Sequence, residues 1–430
     1  MTTPIIGYAG MTHLGLNSAV AAAEKGFETV CYDADSLVIS QLARTELSIV
    51  EPDLSELLKK NIDRIKFTAD LSQLRSCDLV YIASDVLTDD LGKSDLEPIG
   101  ALIAEVATGM RPDAVMVVLS QVPPGFTRGR FQEDRQLYYQ VETLIFGQAI
   151  QRALYPERFI VGCAEPHEPL PPAFAQYLES FDCPILPMRY ESAELAKISI
   201  NVCLVASVSV ANTMAELCES IGADWSEIVP SLKLDRRIGQ YSYLAPGLGI
   251  GGGNLERDLA TVCNLADQNG TDAGVVRAWI ANSHHRRDWV LRSLYLEVLS
   301  KTDNPIIAVL GLAYKQDTDS TKNSPSLALL DHLQSFQVRV FDPVVPASEV
   351  PNPRCHGAES EYEACEGADV LAVMTPWRQF KDLGLHEVAK AMRGRVVLDP
   401  YGVFDSEQCS DAGLSHHTLG VGASGVGTLA

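Results

Sequence analysis

The chain has 430 residues, 46% of them apolar, too many for one ordinary hydrophobic core, so two or three domains are expected. A formal net charge of −22 argues against nucleic acid and anionic membrane as partners, and leaves any bound phosphate to local donors. No signal-peptide pattern follows Met1, no uninterrupted apolar run reaches membrane-spanning length, and the ten cysteines are scattered without a C-x-x-C pair. Together these read as a cytoplasmic chain with reduced thiols and no metal site.

Short β-branched runs at residues 5–8, 28–32, 78–83, 114–119 and 158–162 alternate with helical patterns. That alternation predicts a parallel sheet with helices on both faces. From about residue 191 to 300 the pattern is continuously helical. Its apolar stretch at 193–220 is wider than one surface helix needs, which suggests a helix buried between domains or subunits. Strand-like runs resume at 306–310, 338–341, 370–373 and 396–398, forming a second α/β unit. The expected organisation is 1–190, a dinucleotide-type domain; 191–300, a central helical dimerisation region; 301–418, a second α/β domain; and 419–430, a flexible Gly/Ser/Ala tail. The fold class is α/β, with two Rossmann-like parallel-sheet domains joined by the helical region.

Between the first strand and a helix predicted from about Leu14 to Lys25 lies the turn Gly10-Met11-Thr12-His13-Leu14-Gly15. A dinucleotide fold seats pyrophosphate on such a turn, at the helix N-terminus. Thr12 takes the middle glycine of G-x-G-x-x-G, and its Cβ should shift the loop or the cofactor. Asp33 ends the next strand, 23 residues after Gly10. A carboxylate there can bond both ribose hydroxyls and repel a 2′-phosphate, which favours NAD over NADP. The competing reading is an α/β domain that has lost its nucleotide.

Lys197 and Asn201 are spaced to share one face of an otherwise apolar helix. Burying a lysine is costly unless it is paired, so Lys197 is either a snorkelling surface lysine or a functional one. Further on, five glycines fall within residues 247–253, followed by a helix start and Asp258. Linkers are usually rich in polar residues, whereas this run is anchored by Tyr243, Leu244 and Pro246. It reads as a ligand-holding loop.

The pattern aromatic-Leu-x-Pro-Gly-x-Gly-x-Gly-Gly at 243–252, followed by Asp258, resembles the UDP-glucose/GDP-mannose dehydrogenase family. Other segments share the likeness: Glu51-Pro52-Asp53-Leu54, Gly92-Lys93-Ser94-Asp95-Leu96, Val122-Pro123-Pro124-Gly125, Glu194-Leu195-Ala196-Lys197 with Asn201, and Gly311-Leu312-Ala313-Tyr314-Lys315. The likeness covers about residues 5 to 405. It implies NAD, held by Gly10, Thr12, Leu14, Gly15, Asp33 and Lys322. It also implies a nucleotide-diphosphate sugar, with Tyr243, Leu244, Gly249, Gly251 and Gly252 closing over it and Lys315 meeting the diphosphate. Arg237 would reach the partner's substrate across a homodimer. Lys197, Asn201 and Asp258 would stabilise the alkoxide as hydride leaves, and Glu142 matches the first acid of a Pro-Glu-Phe-Leu-x-Glu loop.

Departures from the family are as informative. Asn254 stands where the family carries its nucleophilic cysteine, and a carboxamide cannot trap an aldehyde. Neither Cys203 nor Cys263 occupies that position. Phe146 replaces the second loop acid, Gln121 a catalytic threonine, and Ser84-Asp85-Val86-Leu87 a Val-Pro-Thr-Pro element. Lys322 and Tyr401 replace arginines. These changes imply oxidation that ends after one hydride. The alternatives are a non-catalytic paralogue that binds nucleotide sugar or NAD, and a four-electron oxidation through a hydrated aldehyde without a thioester. A third, a β-hydroxyacid dehydrogenase relative, is disfavoured by the second α/β domain.

Overall fold

Eight short strands, β1 (Ile6–Ala9), β2 (Thr29–Tyr32), β3 (Ile65–Thr68), β4 (Leu79–Ile82), β5 (Val115–Val118), β6 (Leu137–Gln140), β7 (Phe159–Cys163) and β8 (Ile185–Arg189), form the first sheet. Their order is β3-β2-β1-β4-β5-β6-β7-β8, parallel throughout except for the β6–β7 pair. The central strands read as continuous apolar runs because both faces are covered. Ile6, Tyr8, Leu79 and Tyr81 enter one core, while Ala9, Val80 and Ile82 enter the other. This is a computed structural model, describing residues 3–47, 49, 51–89, 92–131 and 135–422. The chain separates into two units, Met1–Ile200 and Asn201–Ala430.

The second unit holds an all-parallel six-stranded sheet in the order β11-β10-β9-β12-β13-β14. Its strands are β9 (Ile306–Leu310), β10 (Gln337–Phe341), β11 (Cys355–Gly357), β12 (Val370–Val373), β13 (Val396–Leu398) and β14 (Ser415–His417). Both sheets thus have the doubly wound order in which the first strand sits centrally and ligands meet the carboxyl ends of the strands.

The helical region differs from its sequence pattern in one respect. Helices Tyr190–Ile221 and Trp225–Leu234 are separated from Asn254–Asn269 and Gly274–Arg287 by a non-helical stretch at 235–253. Glycines at positive φ and Pro246 keep that stretch out of the helix. The long apolar stretch expected at 193–220 lies in helix Tyr190–Ile221, which among the described residues is long and apolar enough to cross a membrane, although no uninterrupted apolar run of that length stands in the sequence. Glu191, Glu194, Lys197, Glu216 and Glu219 interrupt it, and its buried Glu194, Asn201 and Asn212 bond to protein groups. The tail also needs correction at its start. Leu419 is buried, the Gly420 carbonyl accepts from the Trp225 N–H at 2.9 Å, and the Gly420 N–H donates to Glu219 at 2.8 Å. The rest of the expected flexible tail, 423–430, lies outside the described residues. All ten cysteines are free.

Candidate functional site

In the first unit, β1 ends in a turn that only glycine permits. Gly10 has φ +97°, and a Cβ on Gly15 would sit 1.9 Å from the Gly10 carbonyl oxygen. The helix His13–Glu24 follows directly, so its free N-terminal N–H groups flank the turn. Thr12, expected to crowd a pyrophosphate, turns its hydroxyl to the chain after β4. It accepts the Asp85 N–H at 3.0 Å and lies 3.4 Å from the Ala83 oxygen. The Leu14 side chain is buried, which leaves only its backbone to face a ligand. Asp33 accepts the Met11 N–H at 2.8 Å and the Asp35 N–H at 3.0 Å, one bond per oxygen. Each oxygen keeps acceptor capacity for a ribose hydroxyl. These residues fit a dinucleotide.

Toward the end of that unit, Lys197 and Glu142 meet. Lys197 Nζ is 3.3 Å from Glu142 Oε2, with side chains 12% and 16% exposed. The lysine that needed a partner therefore has one, and a pair so shielded from water acts more strongly than a surface pair. One turn earlier, Glu194 is fully buried. It accepts the N–H groups of Gly125 at 2.6 Å and Thr127 at 2.8 Å, fastening the Val-Pro-Pro-Gly segment to the helix. Burial pushes its carboxyl above the ordinary glutamate range despite those donors. Glu194 is absent from the site residues expected from sequence; an acid amid apolar helix positions is the signal that marks it.

In the second unit, Asn201 Nδ2 donates to Asp258 Oδ2 at 2.5 Å, and Arg257 Nε lies 3.4 Å from the other oxygen. All three are buried. The glycine loop leading to them is held at defined points. The Gly247 N–H donates to Asn212 at 2.8 Å, the Ile250 N–H to Ser283 Oγ at 2.8 Å, and the Gly252 N–H to the Lys322 carbonyl at 3.0 Å. Gly249 and Gly252 have φ +75° and +89°, and Cβ atoms there would fall 2.4 Å from the Ser283 oxygen and 2.5 Å from the Tyr314 ring. Gly251 passes close to the Asn323 carbonyl.

Gly253 caps the helix Asn254–Asn269, so Asn254 is its first residue, and it is exposed. Glu256 bonds Asn323, and burial raises its carboxyl above the usual range. The Lys322 stem runs beside Gly253. The structure places Tyr243 at the surface and Leu244 in a small core beneath it, its carbonyl accepting from Trp225 Nε1 at 2.8 Å. Arg237 is exposed and paired with Asp235 at 2.6 Å.

The second sheet repeats the first turn. Gly311 has φ +98°, and the Leu312 N–H donates to Asp342, just past β10, at 2.6 Å. The use of the two aspartates differs. Asp342 also accepts from Ala313 at 3.1 Å, from Trp377 Nε1 at 3.0 Å, and from Val344 and Val345 at 2.9 Å each. It is saturated, a strut and not a ribose acceptor. Its place beyond the second strand of the second sheet matches that of Asp33, and that position is its signal in the sequence. Lys315 follows this turn with its ammonium 5.7 Å from the Tyr314 ring centre.

Sequence models of the UDP-glucose/GDP-mannose dehydrogenase family match its NAD binding domain at residues 5–171, its central domain at 191–284 and its UDP binding domain at 308–406. The UDP-glucose 6-dehydrogenase TuaD of Bacillus subtilis (strain 168) is 29% identical, over 96% of this chain and 93% of that protein. A UDP-glucose 6-dehydrogenase of Pseudomonas aeruginosa is also 29% identical, over 96% of each. In fold the chain resembles a UDP-D-ManNAc dehydrogenase from Pyrococcus horikoshii, with TM-score 0.84 and 24% identity over 97% of this chain and 99% of that one. A UDP-glucose dehydrogenase from Pyrobaculum islandicum gives TM-score 0.84 and 24% identity over 98% of both. With all three domain models matched in order along its length, the chain belongs to the UDP-glucose/GDP-mannose dehydrogenase family, whose members are NAD-dependent nucleotide-sugar dehydrogenases.

Proposed function

We propose that this protein oxidises a nucleotide-diphosphate sugar of the UDP-glucose kind with NAD, and stops after one hydride, releasing an aldehyde or ketone. Bound NAD supplies the hydride acceptor, and Gly10, Gly15 and Asp33 would hold it. The observation that carries the reading is the shielded Lys197–Glu142 pair. Lys197 can hold the developing alkoxide and Glu142 can take the hydroxyl proton. Asp258, oriented by Asn201 and Arg257, can fix a water or a sugar oxygen. Lys315 and Lys322 would serve the diphosphate and the cofactor as single point charges.

The second oxidation lacks a nucleophile. Asn254 begins the helix at the position where the family's cysteine is expected. Cys263, on the same helix, is buried among Leu259, Ala266 and Val276. Cys203 is exposed two residues past Asn201.

A panel of NDP-sugars with saturating NAD tests this, read as NADH formed per sugar consumed and by mass spectrometry. A product lighter by two hydrogens and trapped by hydroxylamine is expected. Two NADH per sugar with a uronate product would show that the second step survives without a thiol. No turnover with any sugar would move the reading to a binding paralogue.

A further inference from the structure

We propose that Glu51 is a positioning residue: with His13 it ties the dinucleotide turn to the loop carrying Glu142, so that filling the NAD site sets the catalytic carboxylate. This rests on the reading of Glu142 as part of the reacting group.

The Glu51 side chain is completely buried, yet all its partners lie far away in sequence. One is His13, the first residue of the helix that flanks the cofactor turn, with Nε2 at 2.7 Å. The others are Gly147, in the loop after β6, and Ala149, the first residue of the helix that follows it. The Gly147 N–H donates to both oxygens, at 2.9 and 3.0 Å, and the Ala149 N–H donates at 3.3 Å. A carboxylate taken out of water needs such donors, and here two separate segments must both be in place to supply them. His13 adds a second link by stacking on Phe146, ring centres 4.1 Å apart at 30°.

Next to Glu51, Asp53 sits at φ +65° and accepts from Gln151 at 3.3 Å, so Glu51 and Asp53 both bond the helix Ala149–Leu154. That helix in turn holds the front of the loop, Arg152 Nε donating to the Thr143 carbonyl at 2.7 Å. Glu142 itself pairs with Lys197 and accepts the Leu144 N–H within its own loop. A cavity of about 50 Å³, lined by Tyr8, Tyr81, Gln140 and Tyr177, opens on Glu142 and Leu144. Glu142 thus sits at the front of a loop whose far end, at Gly147 and Ala149, is bonded to Glu51, and the remaining Glu51 partner, His13, lies at the cofactor turn.

Amide hydrogen exchange across residues 142–149 of the full chain, with and without NAD, tests the link, alongside NAD affinity by calorimetry. In the wild type, NAD should slow exchange at 144–149 at least ~fivefold. In Glu51→Ala and His13→Phe, NAD should still bind but change that exchange less than ~twofold. Wild-type exchange that ignores NAD, or variants protected as the wild type is, overturns the proposal. A His13→Phe chain that no longer binds NAD also overturns it, since His13 would then be a simple binding group. If Glu51→Ala does not fold, His13→Phe carries the test, because it keeps the stacking and removes only the bond to Glu51. These readings do not depend on turnover, so failure of the proposed reaction is seen separately. With turnover, Glu51→Ala should lower kcat about tenfold in the native background and less than ~twofold in Glu142→Gln. Equal losses in both would mean structural support alone and would refute the coupling.

Discussion

Asp33 and Asp342 stand at the same place in two similar sheets, but Asp33 keeps spare acceptor capacity where Asp342 has none. Asp33 should therefore make the protein prefer NAD to NADP, since its charge repels a 2′-phosphate. Calorimetric titration should give NAD at least ~tenfold the tighter binding, with the gap narrowing in Asp33→Ser; tighter binding of NADP by the wild type would refute this. Glu194 invites a second test. Glu194→Ala strands the Gly125 and Thr127 N–H groups and should cost about 1–3 kcal/mol of stability. Glu194→Gln keeps an acceptor and should cost less. The folded-state carboxyl is raised by burial, so its contribution is fully present below the ordinary glutamate pKa and is lost as pH rises through the raised value. Glu194→Gln escapes that loss. Its melting temperature relative to the wild type should rise between pH 4 and pH 7, and a difference independent of pH would contradict the assignment.

At the scale of elements, the glycine loop is fixed by where a Cβ cannot go. Gly249→Ala would face both a left-handed backbone and the Ser283 oxygen at 2.4 Å. A cost of at least ~1–2 kcal/mol from the backbone alone is expected. Thermal unfolding and sugar-nucleotide affinity should both suffer, whereas Gly270→Ala, also at positive φ but in open space, should lose stability without losing affinity. Retained sugar affinity in Gly249→Ala would remove the loop from the site.

The elements legible in the sequence are the buried ones. Central strands such as β1, β4 and β9 announce themselves as apolar runs because both faces are covered. The strands that escaped notice include all four sheet edges: β3, β8, β11 and β14. An edge strand needs fewer apolar residues and tolerates Pro187 or a Ser-His-His run, so periodicity has little to register. β6 was missed inside the sheet, where Tyr138 and Gln140 break its apolar character. The site divides in the same way. Lys197, Asn201, Asp258 and Glu142 could be found from motifs, and the structure supplies their pairing, Lys197 with Glu142 and Asn201 with Asp258. The roles of Glu51 and Glu194 depend on N–H groups distant in sequence, and no local pattern records those.

For the whole molecule, the question is what covers the outer face of helix Tyr190–Ile221. Val210, Met214, Leu217 and Ile221 recur at helical spacing and are 53%, 39%, 47% and 67% exposed. An apolar stripe of that length is unusual on a free surface, and with a net charge of −22 the chain has no electrostatic reason to approach a copy of itself. Burial of this stripe would have to supply the attraction. A second copy related by a twofold axis is the occupant we propose, because such an axis brings a stripe against itself. The same symmetry makes the test sensitive. Leu217→Glu introduces two charges per interface in an apolar setting, so one substitution should raise the dimer dissociation constant at least ~100-fold, or about 2.7 kcal/mol. Light scattering at micromolar concentration should give a dimer for the wild type and a monomer for Leu217→Glu. Leu234→Glu alters a residue even more exposed but off the stripe, and should remain dimeric. A monomeric wild type would sink the proposal. A Leu217→Glu chain that still dimerises would move the interface to another face.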